Sequence, residues 1–184
     1  NVVEITQDEL TSGCEPASLT CLLDSMGYDV TLEQLVEEYL PFESASDDED
    51  ATDYYFGDPY SKGGALPPAI VRAGNNYLAE QGSAYRLCEA TGLDREELSA
   101  WLSAGYPVLV WTTMYLDSPL FSGEEVGDYA WYVNEHCMLA YRQADDEVMV
   151  NDPLVGLISY DADEFWDVYD SCGRMSVVVV PVSA

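Results

Sequence analysis

Residues 136 to 152 read HCMLAYRQADDEVMVND, and this stretch predicts how the second half of the chain folds. A strand-like run at 136–141 is followed by the turn-like residues 144–147 (ADDE) and by a second strand-like run that ends at Asp152. Two such runs around a short polar turn are typical of a β-hairpin. If the strands pair symmetrically about residue 144, Asp152 stands opposite His136, with Cβ atoms about 5 Å apart. The hairpin therefore predicts a histidine–aspartate pair.

Further β-favouring runs occur on both sides of this hairpin, at 108–111, 129–133 and 175–182. An aromatic helix predicted at 163–171 interrupts them. The run at 108–111 has no polar residue, which is typical of a strand covered on both faces. We therefore predict a mostly antiparallel sheet that begins near Pro107.

The first half of the chain is predicted to be helical, because apolar residues recur at helical spacing in four segments, 14–26, 31–40, 67–82 and 94–105. Thr31 with Gln34, and Asp94 with Glu97, have the spacing of capping boxes. Helices that come first and strands that come later favour an α+β fold over an alternating α/β fold. We predict a single domain over residues 1–184, in which an N-terminal helical layer packs on a C-terminal sheet.

Residues 43–65 have no sustained apolar period and contain several aspartates and glycines. This pattern predicts a long surface loop, and a lid beside a cleft is one function for such a loop. The acidic residues lack the spacing and the turn glycine of an EF-hand, so no calcium site is predicted. We predict no metal elsewhere in the chain either, because no paired-ligand spacing accompanies its one histidine.

The chain is strongly acidic, with 35 acidic and 6 basic residues and a formal charge of −29. Such a charge repels phosphate backbones, so nucleic acid is excluded as a partner, whereas cationic peptides are favoured. No apolar run reaches the length that spans a bilayer, about 20 residues. The chain starts at Asn1 without a methionine or a leader, which favours an exported or cell-surface protein over a cytoplasmic one.

The five cysteines, at positions 14, 21, 88, 137 and 172, are an odd number, so at least one thiol stays free within the chain. The other four are compatible with two disulfides or with buried thiols. Buried thiols are favoured because a chain of 184 residues can bury a full core.

Cys14 lies between Gly13 and Glu15-Pro16, at the predicted first turn of a helix. Unpartnered N–H groups and the helix dipole favour an anion there. A nearby imidazolium lowers a thiol pKa further, from about 8.5 into the range of about 3.5 to 7.5. We therefore predict that Cys14 is a nucleophile with a lowered pKa, and that Cys21 is a buried structural thiol.

His136 is the one histidine of the chain, so any catalytic step that needs an imidazole must use it. A lone histidine is more often structural, and its pairing with Asp152 favours a catalytic role. Asp152 also precedes Pro153, a pair that commonly begins a turn, and the two roles are compatible. Gln7 is a candidate to hold the oxyanion of an attacked carbonyl, together with the Cys14 backbone N–H.

Four motifs occur in order along nearly the whole chain: Gln7 with 12–15 (SGCE), 105–108 (GYPV), 135–137 (EHC) and 151–153 (NDP). Together they resemble the stand-alone relatives of the bacteriocin-leader-processing (double-glycine) cysteine peptidases, which are papain-like. The resemblance implies a papain-like fold with a triad of Cys14, His136 and Asp152, and with Gln7 in the oxyanion hole.

Three functions follow as hypotheses from these residues. The first is peptide-bond hydrolysis through a Cys14 thioester, which needs no metal or organic cofactor and takes a peptide or protein as substrate. The second is transfer of the acyl group to an amine or thiol, as in transglutaminase-like enzymes. The third is a non-catalytic binding module on the same fold, which ranks last because all four site residues are present.

Overall fold

The computed structural model describes residues 1–42 and 51–182, so the acidic run at 47–50 lies outside the described residues. Its helices are α1 (Cys14–Ser25), α2 (Leu32–Gln34), which continues as a π-helical segment (Leu35–Tyr39), α3 (Pro67–Glu80), α4 (Arg95–Ser103) and α5 (Ala162–Ser171). Short 3₁₀ turns occur at Ala51–Asp53 and Met114–Leu116. All the helices predicted from the sequence are present.

Side-chain caps explain where two of these helices begin. The Asp94 carboxylate accepts hydrogen bonds from the backbone N–H groups of Glu96 and Glu97, and the Glu97 side chain accepts one from the Asp94 N–H. This capping box before α4 confirms the prediction. Before α2 only half of the predicted box forms, because the Thr31 hydroxyl accepts from the Gln34 N–H while the Gln34 side chain bonds elsewhere.

The strands are β1 (Phe56–Gly57), β2 (Gly63–Gly64), β3 (Tyr85–Glu89), β4 (Val108–Thr113), β5 (Phe121–Val126), β6 (Tyr129–Tyr132), β7 (Glu135–Ala144), β8 (Glu147–Asp152), β9 (Gly156–Asp161) and β10 (Ser176–Pro181). A six-stranded sheet has the order β3-β10-β4-β7-β8-β9, and all its pairs are antiparallel. The pairs β1–β2 and β5–β6 form two separate ribbons. The predicted α+β class with a mostly antiparallel sheet is confirmed.

We predicted that the sheet begins near Pro107, and this is wrong. Its first strand in the sequence is β3, which lies before α4. β3 and β9 are the two edge strands, and the sequence did not predict either of them. In β3 only Leu87 is fully buried, and most of β9 is exposed. Edge strands with so little buried apolar surface lack the continuous run that makes a central strand visible in a sequence.

Helices cover both faces of the central strands. Leu109 and Trp111 of β4 pack in one core cluster with residues of α1 and α3. Val108 and Val110 point to the opposite face and pack with residues of α4 and α5. Every residue of β4 is therefore buried, as the unbroken apolar run predicted.

The described part of segment 43–65 is not simply a surface loop, so that prediction is wrong for residues 51–65. Tyr54, Tyr55 and Ala65 are buried, and β1 and β2 form a short ribbon between them. Tyr54 and Tyr55 are adjacent, whereas the residues between Tyr55 and Ala65 are mostly polar residues and glycines. Such burial has neither a helical nor a strand period, and periodicity is the signal on which the prediction relied.

All five cysteines lie in the described part of the chain and are free thiols. Cys88 is half-buried and the other four are buried, as the sequence favoured. Among the helices of the described residues, none combines the length and the apolar character needed to cross a bilayer.

Candidate active site

Cys14 is the first residue of α1, and Gly13 is the N-cap of the helix. A side chain at position 13 is sterically excluded, because a Cβ there would lie 2.4 Å from Cβ of Leu10. The Ala17 N–H donates to the Gly13 carbonyl at 3.0 Å and starts the helix. The Cys14 backbone N–H thus belongs to the first turn, where N–H groups have no intrahelical acceptor.

His136 and Asp152 form a buried hydrogen-bonded pair, with 2.6 Å between His136 Nε2 and Asp152 Oδ1. His136 is the second residue of β7, and Asp152 is the last residue of β8. On its other side His136 is paired with Thr112 of β4, so it sits in the middle of the sheet. Because Asp152 occupies Nε2, Nδ1 is the ring nitrogen left for a thiol.

The register predicted for this hairpin is wrong, although the pair itself forms. The turn is at 145–146, and a bulge at Tyr141 shifts the pairing so that Leu139 faces Asn151. The same register places Asp152 opposite position 138, two residues from His136. Positions two apart on a strand point to the same face, so the side chains meet diagonally.

Asp152 is also held by groups other than His136. Its Oδ1 accepts from the Leu154 N–H at 2.9 Å, and its Oδ2 accepts from the Tyr160 hydroxyl at 2.8 Å. Burial raises the pKa of Asp152, but the hydrogen bonds from His136, Leu154 and Tyr160 together bring it below the ordinary value. The Val155 N–H donates to the Asp152 carbonyl, so Asp152 starts a turn as well.

A cavity of about 300 Å³ is lined by Cys14, His136 and Gln7 together with aromatic and acidic side chains, among them Trp131 and Glu135. A larger cavity of about 540 Å³ elsewhere in the structure contains none of the predicted site residues. The structure therefore brings three predicted residues to one cavity, while Asp152 lies behind His136.

The Gln7 side chain does not point a free donor into this cavity. Its Nε2 donates to the carbonyl oxygens of Leu10 at 2.8 Å and Thr11 at 3.3 Å, while its buried Oε1 has no partner. The Gln7 backbone N–H donates to the Pro153 carbonyl at 3.0 Å, which ties the residue to the turn after Asp152.

The Cys14 thiol hydrogen-bonds to a carboxylate and not to the imidazole. Cys14 Sγ donates to Oε2 of the fully buried Glu15 at 3.2 Å, and Glu15 Oε1 accepts the Ala65 N–H. The Glu135 side chain is hydrogen-bonded to Glu15. Cys14 Sγ and one oxygen of each carboxyl group lie within 4.8 Å of one another. Among the hydrogen bonds of the described residues, none joins Cys14 to His136.

The pKa of Cys14 is raised well above its ordinary value by burial, and further by Glu15 and Glu135. The sequence predicted a lowered pKa, because it took account of the helix dipole and the imidazole but not of the two carboxyl groups. Burial and the charge of Glu15 raise the pKa of Glu135 well above its ordinary value, so Glu135 carries the proton between the carboxyls. This shared proton satisfies the group without an ion, and we assign no metal to it.

The family model of the Peptidase_C39 like family matches residues 1–177. The chain belongs to this family. As a C39-like protein it is a cysteine-type peptidase, which confirms the resemblance seen in the four motifs. A search of curated proteins found no significant match.

Solved structures with the same fold are also peptidases. The chain superposes on a C39-like peptidase from Bacillus anthracis with a TM-score of 0.80, at 24% identity and covering 100% of this chain and 96% of that one. A double glycine motif protease from an AMS/PCAT transporter, solved in complex with the leader peptide, superposes with a TM-score of 0.59 at 17% identity. The match covers 99% of this chain and 93% of that one. The peptidase domain of Streptococcus ComA, a bi-functional ABC transporter, superposes with a TM-score of 0.58 at 14% identity. The match covers 99% of this chain and 100% of that one. At these identities the likeness shows the fold.

Sequence reasoning missed three side chains of this C39-like site. Glu15 is adjacent to Cys14 and Glu135 is adjacent to His136, so both stood inside recognised motifs. Their signal was position, because an acidic residue stands beside each of the two predicted catalytic residues. Tyr160 carried no such signal, because its strand β9 was not predicted.

Proposed function

We propose that this C39-like protein, as one domain, hydrolyses peptide bonds with Cys14 as nucleophile, His136 as general base and Asp152 as the residue that orients the imidazole. The observation that carries the proposal is the 2.6 Å contact between His136 and Asp152 beside a cavity that Cys14 also lines. With Asp152 on Nε2, the imidazole is held in the tautomer that keeps Nδ1 unprotonated and able to accept a proton.

The first half of the reaction forms a thioester. Rotation of the Cys14 side chain away from Glu15 brings the thiol to His136 Nδ1, which takes its proton. The sulfur attacks the carbonyl carbon of the scissile bond, and the carbonyl oxygen becomes an oxyanion. When the carbon–nitrogen bond breaks, the imidazolium gives its proton to the leaving amine, and the acyl group stays on Cys14.

The second half regenerates the enzyme. A water molecule gives a proton to Nδ1 of His136 and attacks the thioester carbon. The carbon–sulfur bond breaks, the proton returns to Cys14, and the new carboxylic acid leaves. Asp152 keeps its negative charge in both halves and stabilises the imidazolium.

The Cys14 N–H and the Gln7 amide are the proposed donors to the oxyanion. The bond from Gln7 Nε2 to the Thr11 carbonyl, at 3.3 Å, is longer than the usual range for such bonds, about 2.7 to 3.2 Å. Gln7 can give up this weak bond for the oxyanion while the bond to Leu10 at 2.8 Å keeps the amide in place.

Labelling with a peptidyl electrophile tests the nucleophile directly. We expect Cys14 to be modified at least about tenfold faster than Cys21, because it lines the cavity and has a base beside it. Cys21 is fully buried and is not among the residues that line the cavity. Peptide mapping by mass spectrometry gives the rates, and equal labelling of the two thiols would contradict the proposal.

The net charge predicts which peptides are cleaved best. With a formal charge of −29 on the protein, peptides with Lys or Arg near the scissile bond are expected to have several-fold higher kcat/KM than matched peptides with Glu. The advantage should shrink as salt rises from about 0.01 M to about 0.5 M, because ions screen the field. A preference for acidic peptides that salt does not change would refute this prediction.

A further inference from the structure

Glu15 and Glu135, here called the acid pair, are not needed for any step of the mechanism above. Glu15 lies in the first turn of α1 and is fully buried. Its two carboxylate oxygens accept hydrogen bonds from the Ala65 N–H and from the Cys14 thiol. Its side chain is also hydrogen-bonded to Glu135 at the start of β7. Such a buried carboxyl group requires a reason, because burying a charge is costly unless it is compensated.

The acid pair is closed off on the side of β2. A Cβ at Gly64 would lie 3.0 Å from Cη2 of Trp131 and 3.2 Å from Glu15 Oε1, both tighter than ordinary contact, so glycine lets β2 approach the carboxyls closely. Glu135 Oε1 is buried and has no partner. The sulfur of Cys14 lies within 4.8 Å of both carboxyls, and Glu15 is fully buried, so solvent screens the charge of the pair only weakly.

We propose that the acid pair is a proton-operated positioning device for Cys14. With one shared proton the pair holds the nucleophile as a thiol; with a second proton it releases Cys14, whose thiol proton then passes to His136 Nδ1 as the thiolate forms. This inference rests on the proposed role of Cys14 as nucleophile. It assigns a purpose to two residues that the triad does not use.

The direction of the effect follows from the hydrogen bond between Cys14 and Glu15. With one proton on the pair, Glu15 is a carboxylate that accepts from the thiol and repels a thiolate. A second proton removes this negative charge and turns Glu15 into a donor, which can stabilise the sulfur anion. Burial raises the pKa of both carboxyls above 4.5, so the second proton binds above that pH. Acidification therefore makes Cys14 more reactive.

Other titratable groups face the pair from the surrounding elements. They are Cys137 of β7, Tyr55 before β1, Tyr132 of β6 and Cys172 after α5. Burial raises the pKa of each of them most, and the acid pair raises it further. Such raised values keep all four neutral between about pH 4.5 and 7.5. His136 and the exposed Lys62, which also line the cavity, are the cationic groups to consider, and neither is hydrogen-bonded to the pair.

The test is the rate of Cys14 alkylation by iodoacetamide, a neutral probe, in wild type and in the double variant Glu15→Gln/Glu135→Gln. The amides are isosteric and cannot titrate. At about pH 7.5 we expect the variant to react at least about tenfold faster, because it lacks the negative charge beside the sulfur. The ratio of the two rates should approach one as the pH falls to about 4.5, where the wild-type pair is also neutral.

A ratio that does not change with pH, whatever its value, overturns the proposal and leaves the pair a purely structural feature. The matched control is Glu96→Gln, an exposed residue of α4, which should follow the wild type at every pH. The single variants Glu15→Gln and Glu135→Gln, measured in the same way, show which carboxyl contributes more.

A second measurement needs no substitution in the acid pair. The thiolate absorbance of wild type near 240 nm, corrected with Cys14→Ser, should increase as the pH falls from about 7.5 to about 5, opposite to an ordinary thiol. A monotonic decrease overturns the inference. If Cys14→Ser keeps full peptidase activity, the proposed function itself fails. If it is inactive but both pH tests are flat, only the role of the acid pair fails.

Discussion

Replacing Cys14 by Ser is expected to lower kcat/KM for peptide hydrolysis by at least about 10³-fold. The substitution changes one atom, and the hydroxyl can still donate to Glu15 as the thiol does at 3.2 Å. A serine hydroxyl, however, is a far weaker acid than a thiol, so His136 cannot generate a useful fraction of the nucleophile. Hydrolysis of a fluorogenic peptide measures the loss, and thermal unfolding verifies that the fold is retained.

The matched control is Cys21→Ser on the same helix. Cys21 faces the core two turns after Cys14, and its thiol donates to the Val3 carbonyl at 3.3 Å, a bond that serine can also make. This variant should keep nearly full activity, with some loss of stability from placing a more polar group in the core. If the two variants lose activity to the same extent, Cys14 is not the nucleophile and the effect is one of packing.

The hairpin shows what periodicity in a sequence can and cannot predict. Two strands around a polar turn, and a histidine and an aspartate on the same face, follow from the alternation of residues. The register cannot be predicted in this way, because the turn is centred between residues 145 and 146 instead of at 144, and because Tyr141 forms a bulge. The pair still meets because the error in register is an even number of residues. An odd error would have placed Asp152 on the opposite face of the sheet.

The protonation state of Cys14 illustrates a different limit. The position of Cys14 at a helix N-terminus could be predicted from Gly13 and Pro16, and the structure has it there. Its pKa depends on burial and on the second carboxyl, Glu135, which is 121 residues away in the sequence (135 − 14) and is brought close by the packing of α1 on β7. The residues next to Cys14 in the sequence do not reveal such a long-range contact. The helix dipole alone, worth roughly 0.3 to 1 kcal/mol, is too small to outweigh it.

The prediction of a surface loop before α3 was wrong for residues 51–65 for a similar reason. Tyr55, for example, is buried, and its hydroxyl donates to the Ser12 carbonyl just before Cys14. It helps to hold the loop before Cys14, although the residues that separate it from Ala65 are mostly polar residues and glycines. Side chains that pack singly on a distant element leave no periodic trace.

Asp152→Asn is expected to reduce kcat by about 10²- to 10⁴-fold with little change in KM. Asparagine keeps the shape of the side chain but not the charge that stabilises the imidazolium when His136 takes the Cys14 proton. Its NH₂ group can also face His136 Nε2, in which case the imidazole carries its proton on Nδ1 and is useless as a base toward Cys14. The matched control is Tyr160→Phe, which removes only the hydroxyl that donates to Asp152 Oδ2 at 2.8 Å and should cost far less activity.

The same variant predicts a change in the acid stability of the protein. The pKa of Asp152 in the folded protein lies below its ordinary value of 3.8, so its carboxylate stabilises the fold above that pH, and this stabilisation is lost as the pH falls through the folded pKa. Wild type should therefore lose thermal stability more steeply than Asp152→Asn between about pH 5 and about pH 2, where other carboxyls titrate equally in both. Parallel unfolding curves in this range would show that the Asp152 carboxylate does not stabilise the fold. An unchanged kcat would show that Asp152 does not orient His136 and that their contact is only structural.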